Sequence, residues 1–193
     1  MGMDIYGRTP VDETGEYFRR TIWGWHLIPA YLKDQHPDFI ALIAAPIDPD
    51  TGLLYESNPD IDVAVFWSSN DGHGLLADEA AALADALDAD VASGAAEAWI
   101  HDFHIALLKL PRTTCDICNG TGIRTDRIGV NDGMTTQIVD GPDGNPGMGQ
   151  TGSCNGCDGW GTKMSFLANY DLEPDDLTEF AAFMRTSGGF EIW

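Results

Sequence analysis

Apolar and polar positions along the chain alternate with two periods, and most of the predicted elements are helices. Residues 1–15 are punctuated by Gly7, Pro10 and Gly15 and read as an irregular entry. The aromatic-rich stretch 16–32 reads as a helix that Pro29 kinks or ends, and 37–44 as a short helix with Pro37 in its first turn. Residues 61–67 alternate as a strand, with Ile61, Val63, Val65 and Trp67 on one face. From about Asp78, one buried stripe of Leu76, Ala80, Leu83, Leu87 and Val91 predicts a helix, with Asp85, Asp88 and Asp90 on its other side. Ser93 is placed to cap the next helix, whose stripe is Ala96, Trp99 or Ile100, Phe103, Leu107 and Leu110, and which Pro111 stops. A last helix opens at Pro174, buries Leu177, Phe180, Ala181 and Met184, and closes at Gly188-Gly189. The apolar tail Phe190, Ile192 and Trp193 then docks back. The pattern is that of an α+β chain: a mainly helical globular domain with a short β-sheet.

Between the last two long helices the periodicity stops. Cys115-Asp116-Ile117-Cys118-Asn119-Gly120-Thr121-Gly122 and Cys154-Asn155-Gly156-Cys157-Asp158-Gly159-Trp160-Gly161 both read C-x-x-C-x-G-x-G, and they hold all four cysteines of the chain. Four thiolates in two C-x-x-C pairs match the ligand count of a tetrahedral structural zinc site; a pair of redox dithiols or disulfides is the alternative. The 131–151 stretch is rich in Gly, Asp, Asn and Pro and reads as a flexible loop, with a short hairpin at 135–139. The predicted organisation is therefore residues 1–111 and 164–193 as one globular domain, interrupted by an inserted zinc-ribbon-like module at 112–163.

The two repeats resemble half of the cysteine-rich domain of DnaJ-type co-chaperones, which has four such repeats and holds each zinc with two. That resemblance implies one zinc on Cys115, Cys118, Cys154 and Cys157. This chain has two repeats rather than four and a long insert between them. A polypeptide-binding role thus rests on the cysteine motif alone.

Composition adds an acidic balance. Of 193 residues, 31 are acidic and 10 basic, a formal net charge of −21, and no Lys or Arg occurs from Asp34 to Leu108. Direct nucleic-acid binding is disfavoured, since phosphate affinity needs clustered cations. Acidity of this kind fits a solvated surface or a DNA-mimic inhibitor. No apolar run reaches the roughly 18 residues of a membrane span, and the expectation is a soluble cytoplasmic protein. Asp48, Asp50 and Gly52 lack the closing glutamate of a calcium loop. His101 and His104, three apart on a predicted helix, have no third ligand at helical spacing and read as ordinary imidazoles.

A second candidate site is a ligand site. Arg19 and Arg20 lie close in sequence to Trp23, Trp25 and His26; arginine forks onto phosphate and aromatic faces stack a base. The loop carrying Asn70, Asp71 and His73 precedes a helix and could add an anion-binding edge. The bland reading is that the arginines pair with nearby carboxylates and the tryptophans are core.

Met1-Gly2-Met3-Asp4-Ile5-Tyr6-Gly7, Gly15-Glu16-Tyr17-Phe18-Arg19, Trp23 and Trp25 resemble the opening of a family of small tailed-phage and prophage proteins. Ser69-Asn70-Asp71-Gly72 and the stretch 180–190 resemble later parts of it. The resemblance implies a phage accessory protein in the bacterial host cytoplasm, and the lack of a phosphate loop, G-x-S-x-G or H-E-x-x-H motif makes the expectation a non-enzymatic one. It would bind a host protein or a small nucleotide ligand, in the manner of counter-defence, and could self-associate as a homo-oligomer.

Overall fold

The structure is a computed structural model and describes residues 2–44, 63–124 and 152–193. The elements in order are β1 (Gly2–Gly7), α1 (Glu13–Glu16), β2 (Tyr17–Thr21), α2 (Ile22–Trp25), α3 (Leu27–Gln35), α4 (Pro37–Ile40), a 3-10 turn (Val63–Ser68), α5 (Ala77–Ser93) and α6 (Ala95–Lys109). The short strands β3 (Thr113–Thr114), β4 (Ile123–Arg124), β5 (Gly152–Ser153) and β6 (Thr162–Lys163) follow. A second 3-10 turn (Phe166–Asn169), α7 (Pro174–Ser187) and β7 (Phe190–Ile192) complete the chain. The fold is α+β and mainly helical, with a small antiparallel sheet in the order β2-β1-β7. Two compact units result: residues 1–104 with 170–193, and residues 105–169.

In the first unit the sheet follows from period-two burial. Met3 and Ile5 of β1 and Phe190 and Ile192 of β7 turn to one face and are fully buried. Ile5 pairs with Phe18 of β2 on one side and with Ile192 on the other. The amphipathic helices α5 and α7 supply Ala80, Leu83, Ala84 and Leu87 and Leu177, Phe180, Ala181 and Met184 to the same core. Pro174 sits in the first turn of α7, and Gly188 ends it in the left-handed conformation. Within the stripe predicted for α5, Leu76 stays exposed, because it precedes the helix.

Several expected elements are different. The 16–32 helix is replaced by β2, α2 and α3. Tyr17 to Thr21 pair with β1 along their whole length, so a tertiary ladder overrides helix propensity. Thr21 then caps α2, its hydroxyl accepting from the Gly24 N–H at 3.1 Å. Pro29 neither kinks nor ends a helix, since it lies in the first turn of α3, where no N–H is needed. The irregular entry contains β1. The 61–67 strand is a 3-10 turn over its described part: Phe66 and Trp67, adjacent residues, are both buried, which a strand with one buried face would not allow. Ser93 belongs to the last turn of α5 rather than capping α6; Gly94, left-handed, separates the two helices. The 135–139 hairpin, the 131–151 loop and Asp48, Asp50 and Gly52 lie outside the described residues.

Candidate metal centre

The second unit is organised by a pseudo-two-fold relation with an offset of 39 residues. Cys115 and Cys154 correspond, as do Cys118 and Cys157. The strand before each repeat pairs with the strand after the other: β3 with β6, and β4 with β5. Each entering cysteine donates its N–H across the dyad, Cys115 to the Gly161 carbonyl at 2.9 Å and Cys154 to the Gly122 carbonyl at 2.8 Å. Each knuckle closes by the same bonds, from Gly120 to the Cys115 carbonyl and from Gly159 to the Cys154 carbonyl. Asn119 and Asp158 both have φ 49°, and Gly122 and Gly161 both have φ 74°. Gly122 and Gly161 then point their amides back at the sulfurs, donating to Cys118 Sγ at 3.3 Å and Cys157 Sγ at 3.2 Å.

The four sulfurs are buried, and all lie within 4.8 Å of one another. Cys115 Sγ to Cys154 Sγ is 3.9 Å and Cys118 Sγ to Cys157 Sγ is 3.7 Å. A disulfide would need about 2.05 Å. A tetrahedron of metal–sulfur bonds of about 2.3 Å has edges of about 3.8 Å, and these distances fit it. The cluster can hold a metal ion, and it is the only such group among the described residues; His101 and His104 belong to none.

Without an ion, burial pushes the Cys154 thiol up to about 12 and raises that of Cys157. At Cys118 burial works the same way, but the Gly122 N–H and the neighbouring sulfurs outweigh it and bring the thiol down to about 6. The preorganised N–H donors thus favour thiolate, the form a metal requires.

The same dyad relates two polar braces. Lys163 reaches Asp116, in the first knuckle, and Arg124 Nη1 donates to Asn155 Oδ1, in the second, at 2.7 Å. The exposed Lys163–Asp116 pair raises the lysine and lowers the carboxyl. Arg112 binds the β6 end, its Nε donating to Thr162 Oγ1 and its Nη2 to the Thr162 carbonyl, both at 2.8 Å.

The sequence-predicted ligand residues are not assembled as a phosphate cradle. On strand β2, Arg19 and Arg20 are neighbours and therefore face opposite sides of the sheet. Arg19 pairs with Asp4 at 3.4 Å, and Arg20 forms an ion pair with Asp176. Trp25 is fully buried, stacked on Trp67, with its indole N–H given to the Trp67 carbonyl at 2.5 Å. It has no face for a base. Trp23 is half-exposed beside His26 and Tyr170, and His26 Nδ1 lies 3.2 Å from Ser68 Oγ. In the 70–74 loop, the Gly72 and Gly74 amides donate to the Ile192 and Ala44 carbonyls. Glu79 already accepts from the Leu76 N–H at the start of α5. Asn70 and Asp71 stay at the surface, and His73 stacks on Phe66 at 3.6 Å. The aspartates on the polar side of α5 are also partnered: Asp85 and Asp88 with Arg185, and Asp90 with Tyr31 and His36.

A cleft of about 550 Å³ lies against the second knuckle, walled by Arg112, Cys157, Asp158, Trp160, Lys163 and Met164. Sequence reasoning passed over it, although the tryptophan inside a C-x-x-C-x-G-x-G repeat, at a position held by Thr121 in the other repeat, is a legible signal.

No helix among the described residues is long and apolar enough to cross a membrane. Comparison with protein-family models, with curated proteins and with solved structures finds no match.

Proposed function

We propose that Cys115, Cys118, Cys154 and Cys157 hold one structural zinc ion, and that the chain is a non-enzymatic binding protein of phage accessory type. It would act in the bacterial cytoplasm on a host protein or a small nucleotide ligand. The observation that carries the reading is the buried four-sulfur shell with tetrahedral edges of 3.7 and 3.9 Å. Zinc is favoured by the all-thiolate donor set, and four protein ligands leave no open position for a substrate. The ion would supply the positive charge that gathers four thiolates, while the residues around the sulfurs fold the knuckles. The accessory role rests on the sequence resemblance. The stretches carrying it fall in β1, α1, β2, α2, the 69–72 loop, α7 and the first residue of β7, all within the first unit.

The test is elemental analysis of the purified chain, with one zinc per chain expected. Cys154→Ser should lower metal content and speed hydrogen exchange over 112–163, while the helices of the first unit keep their protection. Metal-free protein with its cysteines paired as disulfides would end the reading.

A further inference from the structure

The pseudo-dyad separates what the fold of the second unit requires from what it does not. Cysteines, glycines, strand pairs and polar braces all recur with the same offset. Trp160 does not. Its counterpart Thr121 is tied into its own knuckle, its hydroxyl donating to the Cys118 carbonyl at 2.7 Å. The Trp160 side chain is 76% exposed and makes no hydrogen bond or ring contact among the described residues. The twin repeat folds with a threonine at this position, so the fold of the knuckle does not require the ring.

Trp160 stands at a concave surface, not on an open one. The cleft of about 550 Å³ is of small-ligand size. Arg112 spends Nε and Nη2 on Thr162 and keeps Nη1 without a partner among the described residues. Lys163 has three donors and gives one to Asp116. Asp158 offers a carboxylate acceptor on the same wall. Charge points the same way: residues 105–169 carry five of the ten basic residues but six of the 31 acidic ones.

Resting on the nucleotide clause of the proposed function, we infer that this cleft binds a nucleotide unit. The base stacks on Trp160, its amine edge donates to Asp158, and its phosphate meets Arg112 and Lys163. A tetrathiolate zinc keeps excess negative charge near Cys157, so the phosphate belongs at the Arg112 end and the uncharged base over the knuckle. The unit could be a free nucleotide or part of a single strand; the ring-and-phosphate chemistry is the same.

The experiment is calorimetry on the metal-loaded full chain, with AMP, GMP and a short single-stranded oligoadenylate as probes. Binding at tens of micromolar is expected for at least one. Trp160→Ala should weaken it by about tenfold or more and Trp160→Phe much less, since stacking on an aromatic is worth about 1–3 kcal/mol. Zinc content should be unchanged in both variants, and Arg19→Ala should leave binding unaltered. Tighter binding of the oligomer would assign a strand; equal or weaker binding, a free nucleotide. The inference is overturned if no probe binds at about 1 mM or if binding survives Trp160→Ala undiminished. Zinc present with no nucleotide bound defeats this inference and the nucleotide clause it rests on but leaves the metal reading standing; absence of zinc defeats the metal reading instead.

Discussion

A methyl group added at Gly122 would lie 2.2 Å from the Gly159 carbonyl oxygen, and one at Gly161 would lie 2.3 Å from that of Gly120. Both obstacles are backbone, and both glycines have positive φ, so neither can yield cheaply. Gly122→Ala or Gly161→Ala should weaken metal binding by about tenfold to hundredfold, because strain of about 1–3 kcal/mol falls on the knuckle that aims an N–H at sulfur. Gly156→Ala is the control. Its added carbon would meet the Ile117 Cδ1 tip at 2.5 Å, the end of a side chain that can turn away. Competition with a chromogenic chelator reads all three; equal affinities would refute the argument. At this scale the four-cysteine cluster was legible, since two C-x-x-C pairs with trailing glycines mark four sulfurs that can converge. Trp160 was legible only as a break in the repeat, and the partners of Arg20 and Asp90 were not legible, because Asp176 and His36 are distant in sequence.

At the scale of elements, long helices with a clear stripe could be read directly: α5 buries Ala80, Leu83 and Leu87, and α7 buries Leu177, Phe180, Ala181 and Met184, as their period marks. The aromatic stretches could not. Tyr17 to Thr21 lacks a helix or strand period strong enough to decide, and β1 decides it by pairing. Trp25 was ambiguous between a surface platform and a core, and Trp67 belonged to a predicted strand. Their hydrogen bonds resolve it: Trp25 Nε1 donates to the Trp67 carbonyl, and Trp67 Nε1 donates to the Ile40 carbonyl at 3.3 Å. These bonds join α2, the 3-10 turn and α4. Trp25→Phe should therefore cost about 2–4 kcal/mol, combining lost ring volume with an unpaired buried carbonyl. A lowered urea midpoint for the first unit, with unchanged zinc content, is the expected result. An unchanged midpoint would mean that the indole is dispensable.

Across the whole molecule, charge is partitioned: the second unit is close to neutral by sequence, and the first carries nearly all of the −21. Acidification should therefore act on the first unit through two opposing effects. Burial holds His26 and His73 below the ordinary imidazole value; at His73, Asp71 counteracts this and Arg8 adds to it. His73 also stacks on Phe66, and its Nδ1 is buried with no hydrogen-bond partner. A depressed folded pKa means that the unfolded chain takes up protons first, so stability is complete above about pH 6.5 and declines as pH falls below it. Self-repulsion among the carboxylates acts in the other direction, but carboxylates with ordinary values gain few protons above about pH 5.5. The first unit of chelator-stripped Cys154→Ser protein, in which metal release cannot interfere, should thus unfold at lower urea at pH 5.5 than at pH 7.5. His26→Gln with His73→Phe should flatten that difference. A midpoint that rises on acidification, and whose rise disappears in high salt, would show that repulsion rather than the two histidines sets the pH response.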